Sequence, residues 1–516
     1  MRRHAMLSAT LGNPLEHSGP FFRKCTAAIT CVDLAGWRNV LLANVCSAAQ
    51  FTQLPVAVGT FCPFATLTQI MKIAYLTAGA AGMFCGSCMN DNAVARALIR
   101  DGHDCLLVPV YTPIRTDDDD VSVPRVFLGG VNVYLQQKLG WMSRVPRVFD
   151  AILNQPWLIR WLTKDAGKTS PKLLGALSIS MLQGFQGKQR KEFERLLVWL
   201  ETDIRPDVIM LTNLLIGGAI PILKKRLGTP VFVTLQGDDI FLDTLAPQDR
   251  LSCEKLMQAL VPEVDGFIVH SEAYGQSMAL RLHIPPEKLH VVPLAITTQE
   301  FQVGDPDARE SATGVQPTVH PTTVGYLARM APEKGLQNIV QAFGALLNEP
   351  GTHPPLRLRL AGWMGPQHQQ FWEQQRGILQ SLSQSHASFQ WDYAGSVDRE
   401  GKLEFLRSLD LFCVPTVYAE PKGRFLLEAV SMGLPYVMPN HGAFPELHHR
   451  IQSFPEHPAG WLYQHDSIEY LVKVLRQAIG THPRRRSVSQ DLLHELDIAT
   501  HARRLMDCIN GSMHSC

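Results

Sequence analysis

Three things are scarce in this chain of 516 residues. Cysteine is dilute, at 11 positions, which excludes a small scaffold held together by disulfides. An excess of charge of one sign is missing: 48 Lys and Arg stand against 47 Asp and Glu, a formal net charge of +1. No global field therefore draws the chain to nucleic acid or to an acidic bilayer. Long apolar runs are missing too. The best candidate, 40–49, is broken by Asn44 and Ser47 and falls short of the roughly 18 residues that suggest a membrane span. Arg2 and Arg3 make a basic start, but His4, Asn13, Glu16 and His17 follow where the apolar core of a secretory signal would begin. The expected setting is cytoplasmic and reducing, with free thiols. What remains is ordinary globular composition, 46% apolar and 18% charged, with material for more than one core.

Residues 1–70 differ from the rest. They hold Cys25, Cys31, Cys46 and Cys62, and only two acids, Glu16 and Asp33. Pro and Gly interrupt any helical pattern, so this stretch is expected to be a poorly structured N-terminal extension, with a targeting or membrane-surface segment as the alternative. Met71 resembles a natural chain start, and from there apolar runs alternate with helical patterns. Strands are expected at 73–77, 105–110, 208–211, 231–235, 266–270 and 289–292, with a helix over 90–101 that Gly102 ends. The polar, Gly- and Pro-bearing stretch 299–320 is a linker or surface loop. The alternation then restarts, with strands at 323–327, 356–360, 411–414 and 436–438 and a helix over 336–347.

Strands alternating with helices imply parallel sheets covered on both faces. The fold class is α/β: two Rossmann-like doubly wound domains, 71–298 and 321–485, facing a cleft, followed by a C-terminal helical segment at 486–516. Ligands in such sheets bind beyond the carboxyl ends of the strands.

The strongest chemical signal runs from Pro415 to Pro435, PTVYAEPKGRFLLEAVSMGLP. Glu420 and Glu428 stand eight apart. A strand ends before Glu420 and a helix runs through Glu428. Gly423 lies near the helix start, with Arg424, Phe425 and Leu426 in its first turn, where backbone N–H groups can hold a phosphate. A carboxylate one turn deeper accepts two O–H bonds at once, which suits vicinal ribose hydroxyls. A second loop, Val324 to Gly335, places Arg329 and Lys334 five apart after a strand. A third, Thr77 to Cys88, is rich in small residues, among them Gly82 and Gly86, and lets a backbone approach a ligand closely.

These stretches resemble the signatures of retaining glycosyltransferases of the family 4 type, the group 1 glycosyl transferases with the GT-B fold. The resemblance lies in the Glu-x7-Glu donor motif with its Leu-Glu-Ala and Gly-x-Pro, the Arg and Lys loop, and the first-domain glycine loop with Gly102-His103 after it. Ala328 stands where the family has Gly before the Arg. In Pro230 to Asp239, Gln236 stands at the family's His position, and a Gln can hydrogen-bond a sugar hydroxyl but cannot titrate. Asp238 and Asp239 contact the acceptor or cap the next helix, and Asn213 ends another strand where the family often has His. The resemblance covers about 71–480.

It implies transfer of a sugar from a nucleotide-sugar donor to an acceptor hydroxyl with retention, by a front-face route that needs no metal or other cofactor. Glu420, Arg329 and Lys334 are then the catalytic residues. Glu428, Gly423, Arg424, Phe425, Leu426, Gly82 and Gly86 bind the donor nucleotide, and Gln236, Asp238 and Asn213 bind substrate. The acceptor is a saccharide, a lipid or a small molecule, and no nucleic acid is expected. The alternatives are a GT-B epimerase or phosphorylase, and a non-catalytic sugar-nucleotide-binding scaffold. Asp117 to Asp120 lie in a loop, where four like charges prefer solvent to a metal. Cys85 and Cys88 suit loop packing, a redox pair or, lacking a second such pair, an incomplete zinc site. Lys164, Lys168, Lys172, Lys188, Arg190 and Lys191 are a solvated helix face or a peripheral membrane contact.

Overall fold

The computed structural model describes residues 70–79, 86–114, 116, 119–124, 126–127, 171–301, 320–349 and 354–514. All of them fall in the compact unit Thr68–Cys516. The expectations for 1–69 and for Gly82, Cys85, Asp117, Asp118, Lys164 and Lys168 lie outside the described residues.

The described chain forms two parallel sheets of six strands each. The first contains β1 (Lys72–Thr77), β2 (Asp104–Pro109), β3 (Val208–Leu211), β4 (Val231–Thr234), β5 (Gly266–Val269) and β6 (Leu289–Val291), in the order β2-β1-β3-β4-β5-β6. The second contains β7 (Thr322–Leu327), β8 (Leu356–Ala361), β9 (Phe389–Tyr393), β10 (Leu411–Cys413), β11 (Tyr436–Pro439) and β12 (Gly460–Tyr463), in the order β12-β11-β10-β7-β8-β9. These are the two doubly wound units that the alternation implies.

The central strands of each sheet read as apolar runs because both faces are covered. In β1, Ala74 and Leu76 join one buried cluster with Ile209, Leu211, Val231 and Val233, while Ile73 and Tyr75 join another with Val208, Met210 and Phe232. That second cluster also takes Ala502, Leu505, Met506 and Ile509 of helix Ile498–His514. The C-terminal helix thus packs on the first sheet's side, against helix Gly86–Arg100. Its entry is fixed by two backbone bonds, from Ile296 N–H to the Leu496 carbonyl (2.9 Å) and from Ile498 N–H to the Ile296 carbonyl (2.8 Å).

Each sheet reverses strand order once, between β1 and β3 and between β7 and β10. These reversals leave crevices at the carboxyl ends of the strands, where side chains from two loops converge. No helix among the described residues is long and apolar enough to cross a membrane.

Candidate active site

At the second sheet's reversal, the loops after β7 and β10 are pressed together. Gly335 has φ +75°, and a Cβ there would lie 1.6 Å from the Pro415 carbonyl oxygen, so only glycine allows this approach. Val417 N–H donates to the Glu333 carbonyl at 3.0 Å. The result is that Lys334 meets Glu420 across 86 positions of sequence: Nζ lies 2.6 Å from Oε2, with side-chain exposures of 12% and 7%. The Tyr418 hydroxyl donates to the same oxygen at 2.6 Å, and Lys334 also reaches the Tyr418 oxygen. The ammonium stands 4.8 Å from the centre of the Tyr418 ring and 5.4 Å from that of Phe425. Burial alone would push the Glu420 carboxyl up. The Lys334 charge, with hydrogen bonds from Lys334, Tyr418 and Gly423, outweighs it and holds the group below its ordinary value.

Gly423 precedes helix Arg424–Ser431 in the left-handed conformation, φ +67°, with Phe444 and Leu447 against it. Its N–H donates to Glu420 Oε1 at 3.4 Å. Glu428, one turn into the helix and buried, accepts on Oε1 from Lys402 Nζ (3.0 Å) and Arg424 Nε (3.2 Å). Arg424 Nη1 is buried and has no hydrogen-bond partner. Phe425 packs at 5.8 Å from Phe444, and Leu426 is fully buried, so those two side chains serve the core. Arg329 is 41% exposed and pairs with Glu333 at 3.0 Å.

The first sheet's reversal carries the other candidates. Gln236, buried after β4, donates from Nε2 to Asp91 Oδ1 (2.9 Å) and to the Thr212 carbonyl (3.3 Å). Its Oε1 accepts from Lys422 Nζ at 3.0 Å, a contact between the two halves. Asp238 is turned into the backbone: Oδ1 accepts from Leu214 N–H (3.0 Å) and Oδ2 from Gln236 N–H (3.3 Å). Burial lifts its carboxyl to about 7. Asn213 caps the short turn Leu214–Ala219 by accepting from Ile216 N–H at 3.2 Å. Asp239 accepts from the Tyr274 hydroxyl at 3.0 Å, so both aspartates brace helix Asp238–Asp243. Gly86 opens helix Gly86–Arg100 with clear space around it.

Four site residues escaped sequence reasoning: Lys422, Asp91, Lys402 and Tyr418. Lys422 and Tyr418 lie inside the donor motif without belonging to its pattern. Asp91 sits in the polar run Asn90-Asp91-Asn92, all three buried, which the sequence shows only as a break in the helix's apolar face. Cys88 is buried, and Lys188, Arg190 and Lys191 are exposed. Among the described residues no group of three or more His, Cys, Asp or Glu is placed to hold a metal ion.

Two facing doubly wound units, with basic and acidic loops at the carboxyl ends of their strands, define the GT-B class. Residues 92–295 match the glycosyl transferase 4-like domain, and residues 314–491 match glycosyl transferases group 1. The chain belongs to the group 1 glycosyltransferases. Among solved structures it resembles sucrose-phosphate synthase from Thermosynechococcus elongatus at 14% identity, over 86% of this chain and 100% of that one, with a TM-score of 0.58. It also resembles HepE from Anabaena in complex with UDP and glucose, at 16% identity over 85% and 99%, TM-score 0.54. A third is the catalytic domain of starch synthase IV from Arabidopsis thaliana bound to ADP and acarbose, at 13% identity over 86% and 99%, TM-score 0.52. At these identities the likeness establishes the fold. A sequence search of curated proteins finds no match.

Proposed function

We propose that the protein transfers a hexose from a nucleoside-diphosphate sugar to an acceptor hydroxyl with retention, by a front-face route without metal. The observation that carries this reading is the buried Lys334–Glu420 pair at the strand-order reversal, beside the start of the helix that holds Glu428. The bound UDP and glucose of HepE and the ADP of starch synthase IV support a nucleotide-sugar donor.

In this reading Glu428 grips the ribose hydroxyls, and Lys402 and Arg424 fix the orientation of its carboxylate. The diphosphate lies against the backbone at Gly423, Arg424 and Phe425, with Lys334 and Arg329 as its cations. Negative charge grows there as the glycosidic bond breaks, so fixed cations stabilise the transition state more than the ground state. Lys334 is already engaged with Glu420, and donor binding therefore shifts its ammonium toward phosphate. That frees Glu420 to accept hydrogen bonds from the hydroxyls of the transferred sugar, coupling phosphate capture to the sugar's grip. The leaving phosphate then takes the acceptor's proton on the same face, which keeps the anomeric configuration. The acceptor is a saccharide, a lipid or a small molecule, received on the side of the first sheet.

A thermal-shift panel of UDP-, GDP- and ADP-sugars identifies the donor. Glu428→Ala and Lys334→Ala are expected to weaken binding of that donor's nucleotide and to cut transfer by about a hundredfold or more. Turnover like that of the unmodified chain in both variants would sink the assignment.

A further inference from the structure

The loop 420–423 is tied to the other half of the molecule at two successive residues. The Ser271 hydroxyl donates to the Pro421 carbonyl at 3.1 Å. Lys422 then reaches across, its ammonium 2.8 Å from Ser87 Oγ in the first turn of helix Gly86–Arg100 and 3.0 Å from Gln236 Oε1 beyond β4. A second crossing lies nearby, where the Glu446 carboxylate accepts from Glu272 and Ala273 N–H, each at 2.7 Å. It caps helix Glu272–Leu282, a role any helix-end carboxylate could fill. Lys422 is different, because it stands two residues from Glu420 and is buried in the cleft.

What holds Lys422 there is built into the first half. The Gln236 amide has one workable orientation: its oxygen faces the ammonium and its nitrogen faces Asp91 Oδ1 at 2.9 Å. Flipping it would set NH2 against a cation and oxygen against a carboxylate. Asp91 is fully buried, and its oxygens also take the Tyr75 hydroxyl (3.1 Å) and the Thr77 hydroxyl (2.8 Å). Burying a carboxyl completely is costly, and a helix gains nothing local from it. Its three donors come from β1 and from beyond β4, so what it secures is the line running to Lys422.

We propose that Lys422 is a positioning residue that seats the Glu420 loop against the first half for transfer, and that Asp91 holds it there through the Gln236 amide. The proposal rests on the glycosyl-transfer reading for its consequence but not for its geometry. Seating the loop closes the cleft over the donor sugar, so water is excluded while the acceptor is admitted. Losing the contact raises donor hydrolysis relative to transfer.

The test begins on the ligand-free full chain, by hydrogen–deuterium exchange. Lys422→Met is expected to speed exchange about threefold or more at 86–92 and 420–426 together, on opposite sides of the cleft. Lys422→Arg, which keeps a cation within reach of Ser87 and Gln236, is expected to restore slow exchange. Asp91→Asn keeps an oxygen for Tyr75 and Gln236 but removes the charge. It should move the same two segments less, and the double variant should go no further than Lys422→Met alone. If Lys422→Met does not fold, Ser87→Ala is scored by the same two segments. Unchanged exchange at 86–92, or additive effects of the two single variants, overturns the proposal.

Turnover supplies the second readout, with UDP-glucose, GDP-mannose and ADP-glucose as probes. Lys422→Met should lower the ratio of transfer to hydrolysis about tenfold while UDP, GDP or ADP affinity changes less than about threefold. An unmodified chain that turns over none of the three leaves the exchange result standing and counts against the glycosyl-transfer reading instead. A ratio unchanged in Lys422→Met overturns the positioning role.

Discussion

Replacing Lys334 by Met removes the cation from a pair whose carboxylate stays buried. Glu420 keeps the Tyr418 hydroxyl at 2.6 Å and the Gly423 N–H at 3.4 Å, so it is not stripped of donors. Removing one partner of a buried pair costs about 3–5 kcal/mol, and the surviving donors place this case near the lower end, at about 3 kcal/mol. The sign of the pH dependence is also determined. In the intact pair the Glu420 carboxyl is held below its ordinary value, so its contribution is present at neutral pH and is lost as pH falls through that lowered value. Without Lys334, burial is no longer outweighed by the cation and the carboxyl rises above its unfolded value. The ionised form then destabilises the fold increasingly as pH rises through the weakly acid range. The loss in Lys334→Met should therefore be larger at pH 8 than at pH 5.

Urea unfolding at the two pH values, followed by far-UV circular dichroism, measures this. Lys334→Met combined with Glu420→Gln should recover half or more of the loss, because no unpaired charge remains buried. A loss under about 0.5 kcal/mol, the same loss at both pH values, or strict additivity in the double variant would refute the reasoning.

The remaining expectations concern the loop approach and the C-terminal helix. Gly335→Ala should destabilise the protein by about 3 kcal/mol or more, since it combines a positive φ with a backbone clash at Pro415; thermal unfolding reports it. His501, buried on helix Ile498–His514 with Nδ1 2.8 Å from the Pro293 carbonyl, is pushed down to about 4 by burial, with Arg450 and Arg504 adding to the effect. It is neutral when folded, so its contribution is full above its ordinary value and drains away as pH falls from about 6.5 toward 4, by on the order of 3 kcal/mol. His270, 5.5 Å away, is shifted in the same direction, so His501→Asn should flatten only part of the acid limb of melting temperature against pH.

Much of the fold is legible because strands buried on both faces read as unbroken apolar runs. Two strands lack that signal, Phe389–Tyr393 and Gly460–Tyr463, and these are the two edges of the second sheet. FQWDY and GWLY leave most residues half-exposed or exposed, so neither shows the signal of a central strand. The first helix begins at Gly86, earlier than the expected 90, because its opening residues Gly86, Ser87 and Cys88 carry no apolar periodicity. Ser87 spends its side chain on Lys422 instead.

The site divides along the same line. Glu420, Gly423 and Glu428 are close in sequence, and their spacing on a strand end and a helix start already fixes their relation. Lys334 was readable as a cation after a strand, but its position against Glu420 follows from the approach of Gly335 to Pro415, which no local pattern carries. Asn213 and Asp238 show the converse. A polar residue in the loop after a strand looks the same whether it awaits a ligand or satisfies backbone N–H groups, and here those of Ile216, Leu214 and Gln236 take both side chains. Gln236 differs from those two, because beside the Thr212 carbonyl it engages two charged side chains, Asp91 and Lys422, that lie 145 and 186 positions away. A side chain that spends its hydrogen bonds locally serves the framework. One that spends them on distant elements from both halves of the molecule reports on how those halves are held, and that distinction appears only when the chain is folded.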